Sequence, residues 1–451
     1  MKVMLTLEMQ IAQRAIKHKD EGLHNLSQFI DAELMERCYR QLNKNSTSGV
    51  DKENWYEYGI VAKERIPKLL TLFKTGNYRA PNIRRVYIPK GDGEKRPIGI
   101  PTIEDKVLQS SVRAVLEPIY EQEFKHFSYG FRSNRSAHQA IDYLTRQITF
   151  EGMRYIIDAD LKNYFGSIPH VELRQLIARR VNDGVIRKMI DKWLKAGVLE
   201  EGQVTYPTAG TPQGGIISPL LSNIYLHYVL DTWFSEEIQP LLKGKSFIVR
   251  YADDFILGFS DQQDAERVLQ VLSKRFNKFG LGLHPEKTSL IDLDCKRGEG
   301  ARSFDFLGFT HYMGKSRKGK PILKRKTSKK KLRKCITQTN DWIKRNRHRK
   351  LTDLIGDLNV KLRGHYNYYG ITFNTKGIRC FYNEIRRCLH KWLNRRGGKT
   401  IWIWERYDQL VNKWIPLLKP KIYHTFSSAK PILEEPYAGN PLVRVCGGAG
   451  R

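Results

Sequence analysis

Three aspartates in two short β-prone segments are the residues best suited to chemistry. Asp253 and Asp254 lie between the apolar runs 247–249 and 255–257, and this pattern predicts a β-hairpin with carboxylates at its tip. Asp160 ends a second β-rich run. Because Mg²⁺ prefers oxygen ligands, converging carboxylates predict a site for two metal ions that would activate a hydroxyl nucleophile and stabilise a leaving group.

A simpler interpretation competes with this one. Aspartate is a common turn residue, so the adjacent Asp253 and Asp254 are also explained as an ordinary polar turn, although two carboxylates this close repel each other unless a cation lies beside them. In the other run, residues 155–161, the alternation of a β-strand places Asp158 and Asp160 on one face and apolar side chains on the opposite face.

The positive charge of the chain is concentrated in one segment. The 451 residues include 78 Lys and Arg against 47 Asp and Glu, a formal net charge of +31. Residues 311–400 contain 27 Lys and Arg against four acidic residues, which predicts a polyanionic partner, with nucleic acid as the first candidate. The Gly- and Lys-rich run 314–320 is predicted to be the junction between a nearly balanced amino-terminal portion and this basic module.

Apolar residues of the basic module recur at helical spacing and predict three amphipathic helices. The positions are Leu332, Ile336 and Ile343, then Leu351, Leu354, Ile355, Leu358 and Leu362, and finally Ile378, Phe381, Ile385, Leu389 and Trp392. A bundle with solvated basic faces would explain the pattern, but self-repulsion favours a bound polyanion. Tyr366, Tyr368 and Tyr369 are equally suited to stacking on bases and to packing in a core.

Length and composition exclude several other classes of protein. The chain is long enough for two or more domains, and its 40% hydrophobic residues exclude wholesale disorder. We find no run of about 18 apolar residues and no recognisable signal or transit peptide, so a cytoplasmic protein is expected. The six cysteines form no CxxC pair, which argues against a zinc ribbon or a disulfide framework.

Several motifs, in a consistent order, resemble those of bacterial group II intron-encoded reverse transcriptases/maturases. Residues 251–254 (YADD) match the YxDD signature, and residues 210–226 (GTPQGGIISPLLSNIYL) resemble the fourth conserved block of this branch. Residues 84–101 (RRVYIPKGDGEKRPIGIP) resemble the fingers block, 128–138 (SYGFRSNRSAH) the block after it, and 306–309 (FLGF) the primer-contacting block. The resemblance extends from about Asp31 to Gly398.

The resemblance implies an α+β fold, a right-hand polymerase with fingers and an antiparallel palm sheet, followed by an α-helical thumb or domain X. The expected division is an amino-terminal extension and the start of the fingers at 1–80, reverse transcriptase fingers and palm at 81–312, a basic helical thumb at 313–398, and a short carboxy-terminal segment at 399–451, with DNA binding as one candidate role. We recognise no HNH endonuclease motif after residue 398, and that domain is expected to be absent.

The resemblance also implies a metal site. Asp160 and Asp253 would be the principal ligands, Asp254 a supporting carboxylate, and the backbone carbonyl of Leu161 a further ligand of two Mg²⁺ ions, which Mn²⁺ could replace. Gly166 stands where the family commonly has an acidic residue, and this departure leaves the local strand geometry open.

Substrate contacts are implied in the same way. The residues expected to hold or select the nucleotide are Lys90, Arg96, Phe165, Gln213 and Lys287, with the Phe165 ring excluding a 2′-hydroxyl. Leu307, Gly308 and Phe309 are expected to contact the primer. The residues expected to contact RNA are Lys324, Arg325, Lys326, Lys329, Lys330, Lys331, Arg333 and Lys334. Without the resemblance, Lys90 and Arg96 would be interpreted as part of a solvated hairpin and Phe165 as a core aromatic.

The implied function is RNA-directed DNA polymerisation from dNTPs, together with binding of the group II intron RNA to promote splicing and retrohoming into a DNA target. One alternative is a reverse transcriptase of a defence or diversity-generating system. The other is an RNA-binding splicing factor that no longer polymerises. The second alternative is opposed by five intact residues: Asp160, Asp253, Asp254, Lys90 and Arg96. A binding module gains nothing from carboxylates clustered beside bound phosphates.

Overall fold

A computed structural model describes residues 6–89, 95–200, 202–211, 214–294, 302–397 and 401–426. The helices in these ranges are α1 (Leu7–Lys17), α2 (Ala32–Gln41), α3 (Trp55–Lys74), α4 (Ile103–Glu121), α5 (Ala137–Phe150), α6 (Tyr164–Ser167), α7 (His170–Ala178), α8 (Gly184–Leu194), α9 (Ser218–Leu226), α10 (Gln262–Lys278), α11 (Lys329–Asn346), α12 (Leu351–Tyr369), α13 (Thr375–Leu393) and α14 (Trp404–Gln409). A π-helical segment, His227–Ile238, continues α9.

The strands form three sheets in the described ranges. They are β1 (Ile83–Pro89), β2 (Lys95–Ile100), β3 (Tyr155–Ala159), β4 (Val198–Glu200), β5 (Gln203–Thr205), β6 (Ser246–Tyr251), β7 (Asp254–Phe259), β8 (Ser289–Asp292), β9 (Ser303–Phe306), β10 (Phe309–Lys315) and β11 (Pro321–Thr327). Sheet A has the order β2-β1-β4-β5, sheet B the order β6-β7-β3-β8, and sheet C the order β11-β10-β9. Helices beside mostly antiparallel sheets make this an α+β fold, as predicted.

The described residues divide into two compact units. Unit 1 contains residues 6–136 and 157–290, and unit 2 contains residues 137–156 and 291–426. In the described ranges, no helix has the length and apolar composition needed to cross a membrane.

Two antiparallel hairpins of unit 1 carry predicted functional residues. In sheet A, β1 pairs with β2 from Arg84↔Ile100 to Pro89↔Lys95. In sheet B, β6 pairs with β7 from Ser246↔Phe259 to Tyr251↔Asp254. The middle residues of β6 and all of β7 after its first residue are buried. Apart from Arg250 on β6, apolar residues and Gly258 occupy these positions on both faces of the strands.

Unit 2 contains the three helices predicted from apolar spacing, and α11, α12 and α13 confirm them. Their apolar stripes meet in one core. Its fully buried members on these helices include Ile343, Leu354, Ile355, Leu358, Leu362, Ile378, Ile385 and Leu389. The Ser328 hydroxyl caps the start of α11 by accepting a hydrogen bond from the Lys331 N–H (3.4 Å).

The Gly- and Lys-rich run 314–320 does not separate the two units. It forms the turn of the β10–β11 hairpin inside unit 2, where Lys315 pairs with Pro321 and the Ser316 N–H donates to the Lys320 carbonyl (2.7 Å). Glycine and charged residues mark both exposed turns and linkers, so composition alone does not distinguish the two.

Phe309 provides a test of this packing. Its side chain is fully buried in the core of unit 2. Phe309→Ala should therefore destabilise unit 2 by about 3–5 kcal/mol, the usual cost of truncating a buried phenylalanine. Denaturant unfolding measures the loss. The control is Phe150→Ala on α5 of the same unit, where the ring is 50% exposed and a smaller loss is expected. An equal loss in both variants would contradict the assigned core position.

Candidate active site

Asp253 lies in the two-residue turn of the β6–β7 hairpin. The last strand pair is Tyr251↔Asp254, so Ala252 and Asp253 form the loop, and Ala252 has the left-handed φ of 59°. Asp254 opens β7 with an exposed side chain, whereas Asp253 is half-buried. The predicted hairpin with carboxylates at its tip is therefore confirmed. Its apolar strands anchor it in the core and leave the acidic turn accessible.

Asp160 follows directly after β3, the neighbour of β7 in sheet B. Its backbone carbonyl accepts the His284 N–H (2.8 Å), and the Lys162 N–H donates to the Gly282 carbonyl (2.8 Å). These two bonds bracket Leu161, whose own carbonyl takes no part in them. The local geometry is therefore compatible with the expected role of the Leu161 carbonyl as an oxygen ligand.

Asp160 and Asp253 interact electrostatically. Burial raises the pKa of the Asp253 carboxyl above its ordinary value, and the negative charge of Asp160 raises it further. The cationic side chains of Arg96 and Arg250 act in the opposite direction. Arg96 belongs to β2, so sheet A brings a predicted triphosphate-binding cation into the field of the aspartates. The two carboxylates therefore repel each other, and a bound cation would reduce this repulsion.

Lys287 contacts the first of these carboxylates. Its Nζ donates to Asp160 Oδ2 (2.6 Å), from a turn in which the amides of Lys287 and Thr288 donate to the His284 carbonyl (3.1 and 3.0 Å). The Lys287 side chain is 60% exposed, so the ion pair itself contributes little stability. Lys287, which is expected to contact the nucleotide, therefore lies beside the metal-binding candidates.

The donor set decides which kind of metal site is possible. In the described part of the chain, no three His, Cys, Asp or Glu side chains form a group that could hold a metal ion. Two carboxylates and one backbone carbonyl are instead the set with which proteins hold Mg²⁺ when waters and substrate phosphates supply the remaining oxygens. Asp160, Asp253 and Leu161 fit a substrate-assisted site, and Asp254, the next residue after Asp253, has an exposed side chain.

Phe165, the residue expected to exclude a 2′-hydroxyl, is hydrogen-bonded to the start of the fourth conserved block. Phe165 lies in α6, where its ring is half-buried, and its carbonyl accepts the Thr211 N–H (2.8 Å). Gly210 has a φ of 91°, and a Cβ there would lie 2.9 Å from the Phe165 carbonyl and from Gly166 Cα. Only glycine allows this approach. Lys90 and Gln213 lie outside the described residues.

Gln109 is a residue of this region that sequence reasoning missed. It is buried on α4, and its Oε1 accepts the amides of Ile216 (2.8 Å) and Ile217 (3.4 Å) at the start of α9. The Gln109 side chain therefore holds the backbone of Ile216 and Ile217, which lie shortly after Gln213, the residue expected to contact the nucleotide. The residues around Gln109 are mixed polar and apolar, so the sequence gives no signal that singles it out.

The residues expected to contact the primer, 307–309, divide into a partly exposed turn and a buried ring. Leu307 and Gly308 form the β9–β10 turn, with φ of 50° and 80°. The Tyr368 hydroxyl donates to the Leu307 carbonyl (2.8 Å), and the Ser328 N–H donates to the Gly308 carbonyl (3.0 Å). Both turn residues are partly exposed, but Phe309 is buried, so the prediction of a primer contact is corrected for the Phe309 side chain.

Most of the predicted RNA-contacting cations lie at the surface of unit 2. Lys326, Lys329, Lys330, Lys331 and Arg333 are exposed, and Lys324 and Lys334 are half-buried. Arg325 is 1% exposed, and its assignment to an RNA surface is corrected. The alternation of β11 turns it inward with Leu323 and Thr327, while Lys324 and Lys326 face outward.

The three tyrosines of α12, for which the sequence leaves both base stacking and core packing open, pack in the protein. Tyr366 and Tyr369 belong to the core of unit 2. Tyr368 packs against that core and uses its hydroxyl on the Leu307 carbonyl, as described above. None of these three rings is presented as an exposed stacking platform.

Asp253→Asn should raise the thermal stability of the protein in the presence of a chelator at neutral pH. The folded state holds this carboxyl at a raised pKa and therefore favours its neutral form, so ionisation costs stability as the pH rises through the folded-state pKa. The gain should vanish below the ordinary value of 3.8, where the wild-type carboxyl is already neutral. Thermal unfolding across this pH range measures it, and a pH-independent gain would contradict the assignment.

Asp292→Asn is the control with the opposite sign. Hydrogen bonds from Arg154 (2.7 Å to each oxygen) lower the pKa of the Asp292 carboxyl. This variant should lose stability at neutral pH, and the loss should shrink as the pH falls through the lowered pKa of the folded state.

Comparisons with known proteins agree with this arrangement. Residues 88–311 match the family model described as reverse transcriptase (RNA-dependent DNA polymerase), and residues 329–410 match the model described as group II intron, maturase-specific domain.

Similar proteins come from bacteria and from yeast. The group II intron-encoded protein LtrA of Lactococcus lactis subsp. cremoris is 39% identical over 233 residues, which is 49% of this chain and 37% of the relative. Protein YkfC of Escherichia coli K12 is 38% identical over 214 residues, 41% of this chain and 55% of the relative. The putative COX1/OXI3 intron 1 protein of Saccharomyces cerevisiae is 27% identical over 417 residues, 74% of this chain and 49% of the relative. The aligned segments thus span only 37% to 55% of the length of these relatives.

Proposed function

Because the chain belongs to the family of group II intron-encoded reverse transcriptases/maturases, we propose that it copies RNA into DNA and binds its intron RNA to promote splicing. The observation that carries the polymerase proposal is the geometry of sheet B, in which Asp160 directly follows β3 and Asp253 directly precedes the neighbouring strand β7, inside the reverse transcriptase match. In the proposed right-hand architecture, sheet A belongs to the fingers, sheet B is the palm, and α11–α13 form the thumb or domain X.

Asp160, Asp253 and the Leu161 carbonyl would hold two Mg²⁺ ions, with Asp254 as a supporting charge. When bound, such ions lower the pKa of a primer 3′-hydroxyl and stabilise the pyrophosphate that leaves the dNTP. The chain itself places Asp253 where burial and the charge of Asp160 both disfavour its ionised form, so a bound cation would stabilise the ionised carboxylate. Lys287 neutralises part of the Asp160 charge until those cations arrive.

The cationic and aromatic residues of unit 1 would select and orient the nucleotide. Arg96 would bind the triphosphate with its planar fork, and Lys90 is proposed as its partner. The Phe165 ring would meet the sugar and reject a 2′-hydroxyl by steric exclusion. The hydrogen bond from the Thr211 N–H to the Phe165 carbonyl holds the backbone that carries this ring. Gln213, two residues further on, would then contact the nascent base pair.

The maturase part of the proposal concerns unit 2. Exposed lysines and Arg333 are concentrated around the start of α11, where the maturase-specific match begins. Such a surface binds RNA phosphates largely without regard to base sequence. The maturase-specific match also favours the intron branch over a reverse transcriptase of a defence or diversity-generating system. Retrohoming into a DNA target is proposed on the same grounds.

Asp253→Asn should abolish primer extension on a poly-ribonucleotide template with Mg²⁺, because the amide removes a negative ligand without changing the shape of the side chain. RNA affinity should stay within about threefold, since the phosphate-binding cations are unchanged. Purified protein and labelled primer suffice for the measurement. Asp20→Asn, an exposed position after α1, is the control that should retain full extension. Normal extension by the Asp253 variant would remove the proposed site.

Combined replacement of Lys326, Lys329 and Arg333 by Ala should weaken RNA binding and flatten its salt dependence. Each lost phosphate contact lowers the slope of log affinity against log salt by about 0.7–0.9. Filter binding at several salt concentrations gives that slope. A matched control removes Lys63, Lys68 and Lys274, three exposed lysines of unit 1, for the same change in net charge. Equal slopes in the two triple variants would contradict a specific basic surface on unit 2.

A further inference from the structure

The turn that presents Asp253 is held from the inside by Arg250. This arginine lies on β6 two residues before the turn, and its side chain is 0% exposed. Its Nη1 donates to the carbonyl of Ala252 (3.0 Å), the residue with left-handed φ that precedes Asp253. A buried guanidinium is therefore bonded directly to the backbone that sets the direction of the Asp253 side chain.

Asp231 fixes the orientation of this guanidinium. Arg250 Nε donates to Asp231 Oδ1 (2.7 Å) and Nη2 donates to Oδ2 (2.5 Å), an arrangement in which two parallel bonds hold the planar fork. Asp231 is also 0% exposed and belongs to the π-helical segment His227–Ile238. Neither partner can rotate without leaving a charge buried and unpaired.

Asn223 connects the same guanidinium to the other side of the turn. Its Oδ1 accepts from Arg250 Nη1 (2.9 Å), and its Nδ2 donates to the Gly130 carbonyl (2.7 Å). Gly130 lies against the turn so closely that a Cβ there would fall 2.2 Å from the Ala252 nitrogen. The turn is thus enclosed between the Arg250 side chain and the Gly130 backbone.

We propose that Arg250 is a positioning residue, held by Asp231 and Asn223, which fixes the Ala252-Asp253 turn so that the Asp253 carboxylate is presented to the divalent cations. The inference rests on the proposed function. Two observations and one general argument favour it over a purely structural ion pair. The guanidinium bonds the turn itself, a left-handed alanine needs such support, and a buried ion pair alone is often no more stabilising than apolar packing.

The test compares Arg250→Lys with Arg180→Lys. Lysine keeps the charge but loses the fork, so it cannot bind Asp231 and the Ala252 carbonyl in the same geometry. Arg180 is the matched control in unit 1. It is 4% exposed, pairs with Glu123, and donates to the carbonyls of Ala15 (3.0 Å), His18 and Glu21.

The decisive readout is cation binding without turnover, measured by titrating the purified full chain with Mn²⁺ and following the free ion by electron paramagnetic resonance. Arg250→Lys should weaken Mn²⁺ binding by about 10–100-fold, the usual effect of removing a residue that orients a metal ligand. The Mg²⁺ concentration needed for half-maximal primer extension should rise in parallel, while the KM for dNTP stays within about threefold. Arg180→Lys should lower thermal stability without either shift.

Gly130→Ala provides an independent variant that leaves the ion pair intact. The added methyl group would press on the Ala252 nitrogen, so the same weakening of Mn²⁺ binding is expected. This variant decides the question if Arg250→Lys does not fold. Cation affinities in both variants equal to that of wild type would overturn the inference.

The outcomes also separate this inference from the proposed function. A wild-type chain that binds no Mn²⁺ and extends no primer would refute both. A wild-type chain that does both, together with unchanged cation affinity in the Arg250 and Gly130 variants, would refute only the positioning role.

Discussion

The repulsion between two partly buried carboxylates is the constraint on which the rest of unit 1 depends. Asp160 and Asp253 lie in each other's field, and burial strengthens the effect because less water screens their charges. The cost of such a pair falls when one carboxyl is protonated or when cations lie nearby. Arg96 and Arg250 act on Asp253, and Lys287 binds Asp160 directly. These three side chains come from strands and a turn far apart in the chain, so the fold assembles the counter-charge.

The backbone around the pair is as constrained as its charges. The Ala252-Asp253 turn is closed by strand pairing on one side and by the Arg250 guanidinium on the other. The segment that carries Phe165 is held by Thr211, and the close approach at Gly210 leaves no space for a side chain. A catalytic constellation needs its groups held to within about 0.5 Å, and short turns braced by buried hydrogen bonds provide that precision.

Unit 2 separates its charge from its core in a way that residue type alone does not reveal. Helices α11–α13 bury an apolar stripe and leave lysines exposed, which suits a surface for phosphates. In strand β11, the number of charged residues does not predict which of them are exposed, because Arg325 turns inward between two lysines that face outward. Phe309 likewise serves the core, while the Leu307-Gly308 turn beside it stays partly exposed. The burial of Arg325 follows from strand alternation, whereas the burial of Phe309 also agrees with its apolar side chain.

Local patterns in the sequence determined the acidic hairpin and the three helices of the basic module. They also determined the alternation that places Asp160 on the strand face opposite the apolar side chains. Each of these features depends on residues a few positions apart. Only the tertiary structure decided that Lys287 meets Asp160 across 127 positions and that Gln109 holds Ile216 across 107. It also decided that the run 314–320 is a hairpin turn and that Arg250 is clamped by Asp231. Such contacts depend on how distant segments pack, and a single sequence carries no local signal for that packing.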